Sequence, residues 1–160
     1  KNPKSLIKEN KYMYKRLPKS EILELLKKEF ETEFVQTVSL NKFDVAVPMN
    51  RTRLYVSQSK PSTSSKGHWQ YDFFHTVTFS VLEEVLDGLG VLVLVNYVDR
   101  IYTVLQSSDI AWVIRYSSRE KGYNEEVTDF VIEKDVEQNY QLRPYDRFNP
   151  RRRAIQVKMY

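Results

Sequence analysis

The sequence predicts an α+β domain built on a mainly antiparallel, curved sheet, and three observations carry that expectation. Segments alternating apolar and polar residues with period two outnumber those with helical period. The connections between them are mostly short, and the alternating segments come in runs instead of one by one between helices. With 160 residues, 41% hydrophobic and 13% aromatic, the chain can fill a single core. Four glycines and six prolines leave little material for flexible linkers. The expected architecture is an open, curved β-barrel (a pseudobarrel) with an N-terminal helix and two short helices at its ends. The expected division is a basic lead-in arm over 1–19 and one domain over 20–160.

Residues 1–17 are basic, with Tyr12, Met13 and Tyr14 interleaved, and read as an irregular arm. Pro18 and Ser20 announce a helix, because a Ser side chain accepts hydrogen bonds from the unpaired amides of a first turn. Ile22, Leu23, Leu25, Leu26, Phe30 and Phe34 recur at helical spacing, so a helix is expected over Ser20 to Glu33 with that stripe against the sheet. From Phe34 the period changes to two. Val35, Thr37 and Ser39, then Phe43 to Val47, then Arg53 to Ser59 mark three strands, with turns at Asn41-Lys42 and Asn50-Arg51. Ser57 to Gly67 is rich in short hydroxyls and reads as an exposed loop. His68 to Thr76 follows as an aromatic strand, and Ser80 to Leu86 as a short helix ending near Gly88. Val91 to Val95 and Arg100 to Leu105 are two buried strands around a turn at Asn96 to Asp99. Ser107 or Ser108 is expected to cap a helix reaching about Arg115. A polar loop over Ser117 to Glu126, strands at Thr128 to Ile132 and Tyr140 to Leu142, and a last alternating strand at Ile155, Val157 and Met159 complete the chain.

Charge is segregated far more than the net +4 reveals. Residues 1–19 sum to +6, residues 141–160 to +5, and the stretch between them to −7. Inside that acidic middle, Val45 to Tyr71 holds no carboxylate yet carries Arg51, Arg53, Lys60 and Lys66. Clustered cations create a field that attracts a polyanion, which the same charges scattered would not. The absence of cysteine excludes disulfides and thiolate metal sites, and a reducing, cytoplasmic setting is expected. Two histidines, His68 and His75, are too few for most zinc sites, so no metal or cofactor is expected. The longest apolar run, Gly88 to Val95, is far short of a membrane span, and no membrane partner is expected. The first residue is Lys instead of Met, so a longer parent protein with further domains or subunits is expected.

The order of patterns from Arg53 onward adds a likeness. "RLYVSQS", "HWQYDFFHTVTF", "VLVLVNY" and "RIYTVLQSSDIAWVI" follow one another, the last running from a strand into a Ser-capped helix. This resembles small DNA-recognition modules of prokaryotic restriction and defence endonucleases, including those with B3-like pseudobarrel folds. The likeness covers roughly residues 53 to 135. It implies a half-open barrel gripping duplex DNA in a concave basic groove, with loops reading base edges.

The most pointed local feature is the run from Leu142 to Arg153, where Arg143, Arg147, Arg151, Arg152 and Arg153 alternate with Tyr145 and Phe148 and two prolines, Pro144 and Pro150, stiffen the path. Guanidinium forks bind phosphate oxygens or read guanine edges, while aromatic faces stack on unpaired bases. The alternative is a stiffened loop anchored by its aromatics, with solvated arginines. Lys60 and Lys66, in the hydroxyl-rich loop, suit phosphate contact. Arg143, Arg147 and Gln58 are the expected base readers, and Arg51, Arg53, Lys60, Lys66 and Arg151 to Arg153 the positioning cations. A rival constellation is Asp44 with Gln58-Ser59-Lys60, which resembles the Gln variants of PD-(D/E)XK nucleases. There an Asp and a neighbour on the next strand hold Mg²⁺, and Lys orients the attacking water. Gln58 is neutral, Pro61 follows the Lys, and residues 68–115 lack the helix that completes such a core, so these residues depart from that pattern. His75, in an apolar strand, is expected as a hydrogen-bonded core residue. The chain is thus expected to be a non-catalytic, duplex-DNA-binding target-recognition domain of a restriction or defence protein. The alternatives are the Mg²⁺-dependent nuclease and a protein-interaction module using Trp69 to Phe74.

Overall fold

The computed structural model describes residues 16–30, 34–40, 43–48, 53–59, 73–116, 120–122, 125–134, 137–144 and 154–160. Helix α1 (Lys19–Phe30) leads into strands β1 (Phe34–Leu40), β2 (Phe43–Pro48) and β3 (Arg53–Ser59). Strand β4 (Phe73–Thr78), helix α2 (Phe79–Leu86) and strands β5 (Gly90–Asn96) and β6 (Ile101–Leu105) come next. Helix α3 (Ser107–Tyr116) and strands β7 (Glu120–Gly122), β8 (Glu125–Lys134), β9 (Tyr140–Pro144) and β10 (Ile155–Gln156) complete the described elements. The fold is α+β, as expected. Its strands form two mostly antiparallel sheets, in the orders β1-β2-β3-β5-β6 and β10-β9-β8-β4, with β7 paired to β8. No closed barrel forms among the described residues.

One pairing departs from the antiparallel expectation. β3 and β5 run parallel, from Arg53↔Gly90 to Ser59↔Asn96, and β4 with α2 lies in the connection between them. Burial on both faces explains the difference. Leu54 to Ser57 are all buried, as are Leu92 to Asn96, and strands covered on both sides are the ones that pair in parallel under a helical crossover. Leu54, Val56, Val93, Val95 and Tyr102 pack on one face of the first sheet against Leu17, Ile22 and Leu26 of the α1 region. On the other face Tyr55, Leu92, Leu94 and Leu105 meet α2, α3 and the second sheet, through Leu82, Val85, Ile110, Phe73, Phe130 and Ile132 among others. The first sheet is therefore the middle layer.

Local chemistry sets the element ends. Asn96 Oδ1 accepts from the amides of Val98 and Asp99, and its Nδ2 donates to Asp99 at 2.8 Å, which closes the expected β5–β6 turn. α2 stops where Gly88, at φ 78, lets its own N–H and that of Leu89 reach back to Val85 and Glu84. The helix expected to start on a Ser cap starts one residue earlier. Gln106 donates its N–H to Asp109 at 3.0 Å, and Ser107 falls inside the helix. The polar loop expected over Ser117 to Glu126 contains β7 and the start of β8, whose hairpin extends the second sheet. The expected turns at residues 41–42 and 50–51, and the 68–72 part of the aromatic strand, lie outside the described residues. No helix among the described residues is long and apolar enough to cross a membrane.

Candidate nucleic-acid interface

The parallel strands β3 and β5 end side by side, and Leu17 and Tyr160 are both tied to that end of the first sheet. Gln58, in register with Val95, accepts the Leu17 N–H on Oε1 at 2.9 Å and donates Nε2 to the Leu17 carbonyl at 3.0 Å. One carboxamide thus imitates a strand bridge and fixes the residue where the basic arm joins the fold. Tyr97 continues the ladder by donating its N–H to the Ser59 carbonyl at 3.0 Å. Its phenol pKa is raised by burial, with the nearby positive charge of Arg16 acting in the opposite direction. Beyond Val95 the row passes to Tyr102, whose backbone exchanges two hydrogen bonds with Tyr160, at 2.8 and 3.3 Å. The two tyrosine rings stack with centroids 5.4 Å apart, and the Lys158 ammonium lies 4.8 Å from the Tyr160 centroid. Leu17, Gln58, Val95, Tyr102 and Tyr160 therefore cross the sheet as one row. Of the exposed loop expected over Ser57 to Gly67, residues 57–59 are instead the end of β3, with Ser57 and Ser59 buried, Ser57 against His75 of the second sheet. The rest of that loop and residues 1–15 of the expected arm lie outside the described residues.

Other expected site residues are distributed differently. Arg53 is at the opposite end of β3, exposed, 3.6 Å from Glu84 Oε1. Five strand rises separate it from Gln58, about 17 Å. Arg143, expected in a loop, lies within β9 and is buried. Its Nε donates to Glu133 Oε1 at 2.9 Å and its Nη2 to Oε2 at 3.3 Å, a bidentate pair. Asp44 holds the register position opposite Val56, two residues before Gln58, so positions 44 and 58 belong to the same end of neighbouring strands. Arg51, Lys60, Lys66, Trp69, Tyr145, Arg147, Arg151, Arg152 and Arg153 lie outside the described residues.

No protein-family model, curated protein or solved structure matches this chain. The chemistry must therefore be read from the residues themselves. His75 is 2% exposed, its Nδ1 is 3.0 Å from the Ser57 hydroxyl, and burial lowers its pKa to about 3. The ring is neutral at pH 7 and sits between the sheets, where no substrate reaches it, so it belongs to the core as expected. Among the described residues no three His, Cys, Asp or Glu gather to hold a metal ion. Sequence reasoning missed Leu17, Tyr97, Tyr102 and Tyr160 as the residues that meet at this end of the sheet. For Tyr160 alone there was a signal, the alternation at Ile155, Val157 and Met159. That pattern gives a strand-like segment without naming the sheet its last residue reaches.

Proposed function

We propose that this chain binds duplex DNA as a target-recognition domain of a cytoplasmic restriction or defence protein. The observation that carries the reading is the shared anchorage at one end of the first sheet. The basic arm, the Lys60 and Lys66 loop and the C-terminal Tyr160 all attach there, through Leu17–Gln58, Ser59 and the Tyr102–Tyr160 pair. Arg16, whose charge is felt by Tyr97, and Lys158, over the Tyr160 ring, add to one field at that end, which a polyanion feels as a single patch. On this reading the two sheets together act as the half-open, curved pseudobarrel of the resemblance, with the duplex against that end. Anisotropy titrations of a labelled duplex between 50 and 200 mM salt test it. With about four phosphates neutralised, log K should fall with log salt at a slope near −3.6, roughly 150-fold over that range. Affinity that is flat across the range would overturn the proposal.

One observation favours the second reading, a metal-dependent nuclease using Asp44, Gln58 and Lys60. The register brings positions 44 and 58 to the same sheet end, as that chemistry requires. Against it, both polar atoms of the Gln58 carboxamide are engaged by Leu17. Mg²⁺-dependent cleavage that vanishes in Asp44→Ala would establish the nuclease. A duplex left intact with Mg²⁺ would leave binding as the function.

A further inference from the structure

A groove of about 440 Å³ lies between the start of β9 and the C-terminal segment, within the size range of small-ligand sites. Its polar lining is Gln138, Asn139, Gln156 and Lys158, with the half-buried ring of Tyr140 among them and Val157 and Met159 as an apolar wall. Backbone pairing makes the base of the groove rigid, because the Val157 N–H donates to the Tyr140 carbonyl at 3.0 Å. Gln138, in the lining, holds φ 67, a left-handed conformation that costs a non-glycine residue. Two cations stand by: Lys158 in the lining, and Lys134, whose ammonium is 5.2 Å from the centroid of Tyr140. Among the described residues no carboxylate side chain is in the lining.

We propose that this groove binds one unpaired nucleotide, its base among the carboxamides and Tyr140 and its phosphate at Lys158. Each carboxamide carries a donor and an acceptor side by side, as base edges do, and the aromatic ring supplies a surface for the base. The Lys158 ammonium, a compact cation with three donors, suits the phosphate. The Lys158 ammonium rests over the exposed Tyr160 ring, a weak contact that a phosphate can outbid. Lys158 also joins the groove to the Tyr102–Tyr160 pair, so a strand leaving a duplex at the sheet end has a continuous path into it. The choice of ligand rests on the nucleic-acid reading above.

The test uses the whole chain and three probes: a blunt duplex, the same duplex with a short single-stranded overhang carrying 2-aminopurine, and AMP alone. The overhang should bind at least about fivefold tighter than the blunt duplex, with quenching of the 2-aminopurine as it stacks. Gln138→Gly, which relieves the positive φ, and Gln156→Ala should bring the overhang back to the blunt value and leave blunt binding as it was. Melting curves confirm that both variants fold. Equal affinity for overhang and blunt duplex would overturn the groove while leaving duplex binding in place. AMP shifting the NMR signals of Gln138 and Tyr140 without binding of either duplex would keep the groove and overturn the duplex reading. Binding of none of the three probes would overturn both.

Discussion

His75 and Arg143 are the two buried polar side chains whose roles depend most on their surroundings. Burial holds the His75 pKa near 3, while an unfolded chain takes up the same proton near 6.5. The folded pKa is the lower one, so the histidine's contribution to stability is complete above pH 6.5. It drains away as pH falls from there towards 3. The loss from this group alone is about 1.4 kcal/mol per pH unit. Melting curves between about pH 7 and about pH 4.5 should show His75→Gln losing Tm less steeply than the parent, and parallel slopes would contradict the buried state. Arg143 poses a different question, because only 7% of its side chain is exposed and its counter-charge is Glu133. Removing that partner leaves a guanidinium stranded, so Glu133→Ala should cost about 3–5 kcal/mol in denaturant titrations. Arg143→Met keeps the stem's bulk and should cost less, since Glu133, 23% exposed, can turn towards water. Should Arg143→Met spare stability and abolish discrimination between DNA sequences, the residue is a reader and not an anchor.

Among the elements, the parallel pair β3–β5 shows both the reach and the limit of the sequence. Period-two alternation and short connections marked β1, β2 and β3 correctly, and the Asn96 turn was legible because Asn bonds to its own downstream amides. The partner of each strand was not legible. A run such as Gly90 to Asn96 reports burial on both faces, and pairing is settled by contacts far away in sequence, here α1 on one side and α2 on the other. Gly90 is where the close approach of the pair leaves its mark. A Cβ there would come within 2.7 Å of the Arg53 carbonyl oxygen, and backbone cannot step aside as a side chain can. Gly90→Ala should therefore destabilise by about 1–3 kcal/mol. Gly88→Ala meets nothing within 4 Å and suffers only the strain of φ 78, so it isolates the conformational cost from the steric one. Equal losses in the two variants would mean that β3 and β5 have room to part.

For the whole molecule, the segregation of charge is readable from the sequence, but the tying of residues 17 and 160 to one end of the first sheet is not. Residues 17, 58, 97, 102 and 160 share one end of the first sheet only because an N-terminal and a C-terminal segment fold back onto it, and no local pattern encodes that. The decisive feature is the Leu17–Gln58 bridge, and it can be tested without altering charge. Gln58→Leu keeps the side chain's approximate volume and every cation, but it releases the root of the arm. Deleting residues 1–15 removes the arm itself. If Gln58 works by holding the arm, Gln58→Leu should weaken binding on preferred and random duplexes alike. It should add little once the arm is gone, because the two changes act on one interaction. The deletion should also flatten the salt slope by about 0.9 for each phosphate that the arm had neutralised. A base reader behaves otherwise. Its loss costs about 1–3 kcal/mol on the preferred site alone, and that cost is undiminished in the armless chain. The two single variants and the double, titrated on both duplexes, separate these outcomes: additivity confined to the preferred site overturns the anchoring role, and non-additivity on both supports it.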